Sequence, residues 1–499
     1  MASYANDYDE ASRRTKQTRT SGDYVDYTYD ETGQLTSALA QESGGTTNRW
    51  QERFIYGYDA AGNLSKRVQN VQTNVFSVDI LNQLTSVVRT NTSATVAGAT
   101  TLDATSVTVA ANGGSATAAI RYADRTYART NVTLVNGNNT FTAVATSGTR
   151  GDTNTVTVNL PVAVTFLYDL NGNLRTNGTR VLEYDDENQL TRVTEPTAWK
   201  SEFTYDGKLR MRISKDYAWR NGAWVLTNEV HRVYDGMLVL QERDQFNVPK
   251  LTYTRGKDLS GSLERAGGIG GLLALSDHST LNSSSSQPSS FYYHSDGNGN
   301  VTALVDTNQN VVARYLYDPF GNTLSATGPK ADVNKYRFSS KEWHGPSDMI
   351  YYGYRWYIPE LQRWLNGDPI AEAGGINLYR FVNNTPLALV DNDGRSPIGL
   401  VAVAAWAAWQ GICGALAADK AIEAYPDDDK KQHCFINCFH NRCTGLFQPI
   451  FPLLGGILWE LRPGGVSEFK DVMANAYGLI SSYNLFESCK TACDRCPIE

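Results

Sequence analysis

Two acidic turns hold the side chains best suited to chemistry. Asp368 precedes Pro369, and Asp391 opens the run Asp391-Asn392-Asp393-Gly394-Arg395, with Gly374-Gly375 between the two turns. Two carboxylates that share one proton have split pKa values: one can act as a base on water while the other acts as an acid toward a carbonyl. Asp-Pro and Asp-Asn-Asp-Gly are also good turn formers with no chemistry attached. A second group of reactive side chains lies near the C-terminus. Cysteines stand at Cys434, Cys438, Cys443, Cys489, Cys493 and Cys496, with His433 and His440 among them and Cys413 apart. The Cys-x3-Cys spacing puts two thiols on one helix face. Disulfides between two such helices, a metal site built from Cys434, Cys438, Cys443, His433 and His440, and reduced core thiols all remain open readings.

The 499 residues exceed one ordinary core, and 28 Tyr with 42 Gly favour strands and turns. A net charge of −7 argues against a shell built for nucleic acid. The first 412 residues contain no cysteine and the remaining 87 contain all seven, so the tail needs staples that the body does not. The opening MASYANDYDEASRR lacks the apolar region of a secretory signal, and it starts inside a repeat pattern, as a fragment of a longer chain would.

That repeat positions everything else. Tyr29-Asp30 and Tyr58-Asp59 each lead through a Gly turn to Leu35 and Leu64; Tyr168-Asp169 and Tyr184-Asp185 lead to Leu174 and Leu190. Degenerate copies stand at Tyr205-Asp206-Gly207, Tyr234-Asp235-Gly236 and Tyr317-Asp318. Asp caps the turn, Gly or Asn takes the positive φ, and Leu re-enters the next strand, so each unit is a β-hairpin that must stack on its neighbours. In residues 93–161, alternation at Ser106-Val107-Thr108-Val109 and Thr155-Val156-Thr157-Val158, with Gly/Asn turns between, predicts a small Ig-like β-sandwich. Gly267-Gly268-Ile269-Gly270-Gly271 lacks the Gly-Lys-Ser/Thr of a phosphate loop and reads as a Gly-rich hairpin. Ser283 to Ser286 reads as a surface loop. Tyr351, Tyr352, Tyr354, Trp356 and Tyr357 predict a large buried aromatic area.

The repeat resembles the YD repeat of RHS proteins. Residues 336–395 resemble the RHS repeat-associated core domain at Arg363-Trp364-Leu365, Asp368-Pro369, Gly374-Gly375-Ile376-Asn377-Leu378-Tyr379, Val382-Asn383-Asn384-Thr385-Pro386 and Asp391 through Gly394. The resemblance implies a mostly β fold, a hollow spiralling shell like those of teneurins and Tc toxin C subunits. It divides the chain into repeats at 1–92, an Ig-like insert at 93–161, repeats at 162–335, a core-domain plug at 336–395 and a variable, Cys-rich, α-helical domain at 396–499. It also implies self-cleavage by Asp368 and Asp391, with Arg363 as a supporting charge and Asp393 as a substitute for Asp391. Cleaving relatives read Asp-Pro-x-Gly-Leu and are cut after the Leu. Arg395 replaces that Leu, and an apolar pocket accepts a guanidinium poorly.

The expected protein is therefore a bacterial polymorphic toxin or secreted effector whose shell holds its own C-terminal domain, with an immunity protein or a cell-surface target as partner. No cofactor is implied, and no nucleic acid is expected for the shell. The alternative is a non-cleaving surface protein whose C-terminal cap is disulfide-bonded or membrane-associated. The uncharged run Ile398 to Ala418 fits a weak membrane span, a buried Ala-rich helix, or a segment held in the lumen.

Overall fold

In a computed structural model, residues 3–280 and 287–395 are described, together with the backbone of Pro397–Gly399. The Ser283 to Ser286 tract, the cysteine clusters, His433, His440 and nearly all of the 398–418 run lie outside the described residues. The described chain is nearly all β, its only helices being short 3-10 turns.

The hairpins join into one antiparallel meander of 22 strands. Each strand pairs with the next from Tyr4–Tyr8 to Leu84–Arg89. Leu84–Arg89 then pairs with Ala163–Tyr168, and the order continues to Thr323–Thr327. The meander bends back on itself. Arg14 donates to Asn298 Oδ1 at 2.6 Å, and the Tyr4 and His294 rings lie 6.5 Å apart.

One loop repeats throughout. In the copy at Asp59, the Asp59 N–H donates to the Asn63 carbonyl and the Gly62 N–H to the Asp59 carbonyl, both at 3.0 Å. Asp59 Oδ1 accepts the N–H groups of Ala61 and Asn63 at 2.9 and 2.8 Å. Gly62, at φ +75°, sits where only a residue tolerant of left-handed backbone fits. The same bonds form at Asp30, Asp169, Asp185, Asp206 and Asp318, and also at Asp9, Asp79, Asp244, Asp296 and Asp306. Asp235 does not form this loop; it pairs directly with Leu238 across a two-residue turn.

The tyrosine of each unit ties it to the one before. The hydroxyls of Tyr58, Tyr184, Tyr205 and Tyr234 donate to the carbonyls of Leu35, Leu174, Leu190 and Met211 at 2.8–3.0 Å. These acceptors are the residues that re-enter a strand after the preceding loop, and their side chains are buried at 0–1% exposure. Tyr184→Phe removes one such bond and keeps the ring. It is expected to cost about 1 kcal/mol, read as a lower urea midpoint at unchanged m-value.

Residues 93–160 leave the meander and form two further antiparallel sheets. One contains Ser93–Ala99, Ile120–Arg121 and Thr126–Thr133; the other contains Ser106–Ala111, Thr117–Ala118, Gly137–Ser147 and Arg150–Leu160. Val107 and Val109 are buried, as their alternation predicts. Val156 and Val158 are exposed, because nothing covers either face of Arg150–Leu160, whose residues are exposed from Arg150 to Asn159. Alternation there reflects strand propensity rather than a buried face.

The 336–395 segment runs along the loops of the meander. Residues in left-handed backbone at the fourth position of these loops present their carbonyls to it. Gly33, Gly62, Gly172, Asn188 and Gly299 accept from Thr385, Asn384, Tyr379, Asn366 and Ser340 at 2.7–3.2 Å. Asn82 accepts from Arg363 in the same way. Beneath these bonds Tyr357 stacks on Phe381 at 3.9 Å and Trp364 meets Phe381 edge-on at 5.4 Å. Tyr351, Tyr352, Trp356 and Tyr357 are all buried, while Tyr354 stays half-buried.

Candidate active site

Asp368 and Asp391 reach one place from different elements, and a residue outside the expected set joins them. Asp368 follows the short strand Arg363–Trp364. Its Oδ1 accepts the Ile370 N–H at 3.0 Å, which makes the Asp-Pro turn. Asp391 ends the strand Leu389–Asp391, and its Oδ1 accepts the N–H groups of Asp393, Gly394 and Arg395 at 3.2, 2.7 and 3.2 Å. Each carboxylate thus uses one oxygen for its own turn. The other oxygen faces Arg355: Arg355 Nη2 lies 2.6 Å from Asp368 Oδ2 and 4.0 Å from Asp391 Oδ2.

Arg355 stands just before the strand Trp356–Ile358, stacked at 4.3 Å over the Trp364 ring. Its other nitrogens donate to the carbonyls of Leu378, at 3.0 Å, and Gly394. Burial draws its pKa down to about 10 against the pull of Asp368 and Asp391. Burial likewise pushes both carboxyls up, opposed chiefly by Arg355.

Arg363, expected as the supporting charge, faces elsewhere. It binds the Asn82 carbonyl and lies 4.9 Å over the Tyr379 ring, so it fastens the segment to a repeat loop. Asp393 is held by Arg395, with Nε at 3.0 Å and Nη2 at 2.5 Å from Oδ2.

The backbone from 392 to 395 is clamped carbonyl by carbonyl. Lys341 Nζ donates to the Asn392 carbonyl at 2.5 Å, the Tyr354 N–H to the Asp393 carbonyl at 3.0 Å, and Arg355 to the Gly394 carbonyl. The Arg395 carbonyl lies against Gly374. A Cβ on Gly374 would stand 2.7 Å from Asp368 Oδ2 and 3.0 Å from the Arg395 oxygen, so the missing side chain leaves room for a carboxylate and a peptide carbonyl to lie against this glycine. Burial brings the Lys341 amine down to about 8.

The Gly-rich run proves to be one limb of a looped segment rather than a hairpin of two strands. Asp258 Oδ2 accepts the N–H groups of Ala266 and Gly268 at 2.7 and 3.2 Å, and Gly267 abuts the Asn392 carbonyl. Together with Lys341, Gly353, Met237 and Asp393 it bounds a cavity of about 220 Å³ beside the clamped turn. Among the described residues no three His, Cys, Asp or Glu side chains gather as a metal site.

No family model matches the chain. The tRNA3(Ser)-specific nuclease WapA of Bacillus spizizenii is 30% identical over 253 residues, which cover 49% of this chain and 10% of that protein. Toxin subunit YenC2 of Yersinia entomophaga is 38% identical over 97 residues, 19% of this chain and 10% of the relative. The crystal structure of TcdB2-TccC3-Cdc42 matches at 18% identity and a TM-score of 0.38, covering 81% of this chain and 20% of that one. The chain is thus similar over parts of its length to a bacterial nuclease and to a bacterial toxin subunit, and the matched stretch spans about a tenth of each relative.

Proposed function

We propose that this chain is the shell and self-cleaving core of an RHS-type bacterial toxin, and that it hydrolyses its own peptide bond between Arg395 and Ser396. The observation that carries this reading is the shared Arg355, with the second oxygen of each carboxylate turned to it, and Asp368 Oδ2 and the Arg395 carbonyl both lying against Gly374. The pair holds one proton. The protonated carboxyl donates to the Arg395 carbonyl oxygen as the ionised partner takes a proton from water, and the hydroxide adds to the carbonyl carbon. As the adduct collapses, the carboxyl that took the proton from water gives it to the Ser396 nitrogen, the C–N bond breaks with the amine leaving, and the adduct's hydroxyl returns its proton to the other carboxylate, restoring the singly protonated pair.

On this reading the meander is a shell, 336–395 is its plug, 93–161 is an inserted Ig-like sandwich, and 396–499 is the released effector. The released segment acts inside or on another cell, and an immunity protein guards the producer. The similarity to toxin proteins supports that role. The core-domain motifs Arg363-Trp364-Leu365 and Asn383-Asn384-Thr385 supply residues that bind the repeat loops, which supports the plug.

One observation favours a second reading, a plug that never cuts. Asp391 Oδ1 caps the 392–395 turn much as the repeat aspartates cap theirs, so the turn explains the residue without chemistry. Intact mass of the purified full chain under denaturing, non-reducing conditions decides between them. Two fragments meeting at Arg395–Ser396 are expected; a single full-length species would sink self-cleavage.

A further inference from the structure

We propose that Asp393 and Tyr354 form a receptor for the Arg395 side chain, so that the site is built to take a guanidinium before the bond that is cut. This rests on the self-cleavage reading and names its specificity. Asp393 Oδ2 accepts from both Nε and Nη2 of Arg395, at 3.0 and 2.5 Å, and the guanidinium carbon lies 4.0 Å from the centre of the Tyr354 ring. The Asp393 side chain is 17% exposed and that of Arg395 39% exposed, so the pair is partly withdrawn from water.

The receptor is rigid because the turn that carries Arg395 also carries Asp393. The Asp393 N–H donates to Asp391 Oδ1 at 3.2 Å, and its carbonyl accepts the Tyr354 N–H at 3.0 Å. Residues 393 and 395 are two apart and reach the same side of the turn. The other cations nearby are engaged elsewhere: Arg355 faces Asp368 and Asp391, and Lys341 sits on the Asn392 carbonyl, so Arg395 is the cation that pairs with Asp393. A leucine at 395 would leave Asp393 unpaired beside two other carboxylates. Lysine would keep the charge but lose the planar fork and its stacking on Tyr354.

The test compares the rate at which full-length mass converts to fragments in Asp393→Asn, Arg395→Leu, Arg395→Lys and the double variant Asp393→Asn/Arg395→Leu. Asp393→Asn and Arg395→Leu are each expected to slow conversion about fivefold, the order that a half-exposed ion pair with ring stacking supports. The double variant is expected to be no slower than the worse single one, because both remove the same interaction. Arg395→Lys should fall between wild type and Arg395→Leu. Multiplying losses in the double variant, or Arg395→Leu cleaving at the wild-type rate or faster, overturns the receptor.

If the wild-type chain does not convert at all, self-cleavage falls, and the receptor is read by trypsin on the folded chain. Cutting after Arg395 is then expected to be about fivefold faster in Asp393→Asn than in wild type, normalised to the cut after exposed Arg150. Equal rates overturn the receptor in that case.

Discussion

The full-length chain with Asp368→Asn is expected to stay at one mass while the unaltered chain separates at Arg395–Ser396. Asparagine keeps the size and the Oδ1 that accepts the Ile370 N–H, so the Asp-Pro turn survives. It removes the carboxylate oxygen that lies against Gly374 with the Arg395 carbonyl, and with it the proton or the base that the reaction needs. General acid–base groups contribute typically 10²–10⁴-fold, so conversion should slow by about 10³-fold. Asp391→Asn is the less clean variant, because Asp391 also holds three N–H groups of the clamped turn. The pH profile adds a second check. Burial raises both carboxyls, so the bell-shaped optimum for wild type should lie above the ordinary carboxylate range, and its two limbs belong to the pair rather than to either residue. A rate that rises monotonically to alkaline pH would exclude a shared proton.

The repeat was legible because its signal is local. Tyr, Asp, a turn residue and Leu fall within seven positions, and each makes its bond inside that span or to the strand before it. Most missed copies lack the tyrosine, as with Val78-Asp79, Ser295-Asp296 and Val305-Asp306. The one at Tyr8-Asp9 has it but carries Ser12, not Gly or Asn, at the left-handed fourth position. The loop needs only the Asp and a left-handed fourth residue. That fourth residue is not always glycine or asparagine: Leu209 and Gln309 hold φ +63° and +68°. Tyr234-Asp235-Gly236 misled in the opposite direction. Its tyrosine staples as the others do, but the chain closes at once into a tighter turn.

The two carboxylates were visible as turns, while their partner was not. Arg355 lies 13 residues before Asp368 in a run of aromatics, and its meeting with Asp391 depends on how the segment folds back. Arg363 drew attention because it sits in a recognisable motif; that motif binds a repeat loop instead. Arg395 counts against cleavage if the site offers an apolar pocket to that side chain. The acid two residues earlier and the ring of Tyr354 take it outside such a pocket.

Replacing Arg355 with methionine should destabilise the folded chain by about 3–5 kcal/mol near neutral pH, because it leaves the charge of the buried carboxyl pair without its cation. The loss should shrink toward pH 5, and the sign follows from the carboxyls. Asp368 and Asp391 already sit above their ordinary range in the folded chain, and Arg355 is what draws them down. A carboxyl raised on folding contributes stability that is fully present below its unfolded pKa and lost as pH rises through the folded one. Without Arg355 both folded values climb further, the pair takes up its second proton at mild acidity, and the unpaired charge vanishes. Urea unfolding of the variant and the wild type at pH 5 and pH 7.5 reads this directly as a difference of midpoints. An equal deficit at both pH values would mean that Arg355 acts through its stacking on Trp364 and its bonds to the Leu378 and Gly394 carbonyls, which do not titrate. Arg355→Lys sharpens the comparison. It restores a charge but not the fork that reaches both carboxylates and two carbonyls, so it should recover the acid-to-neutral difference more fully than the loss of packing.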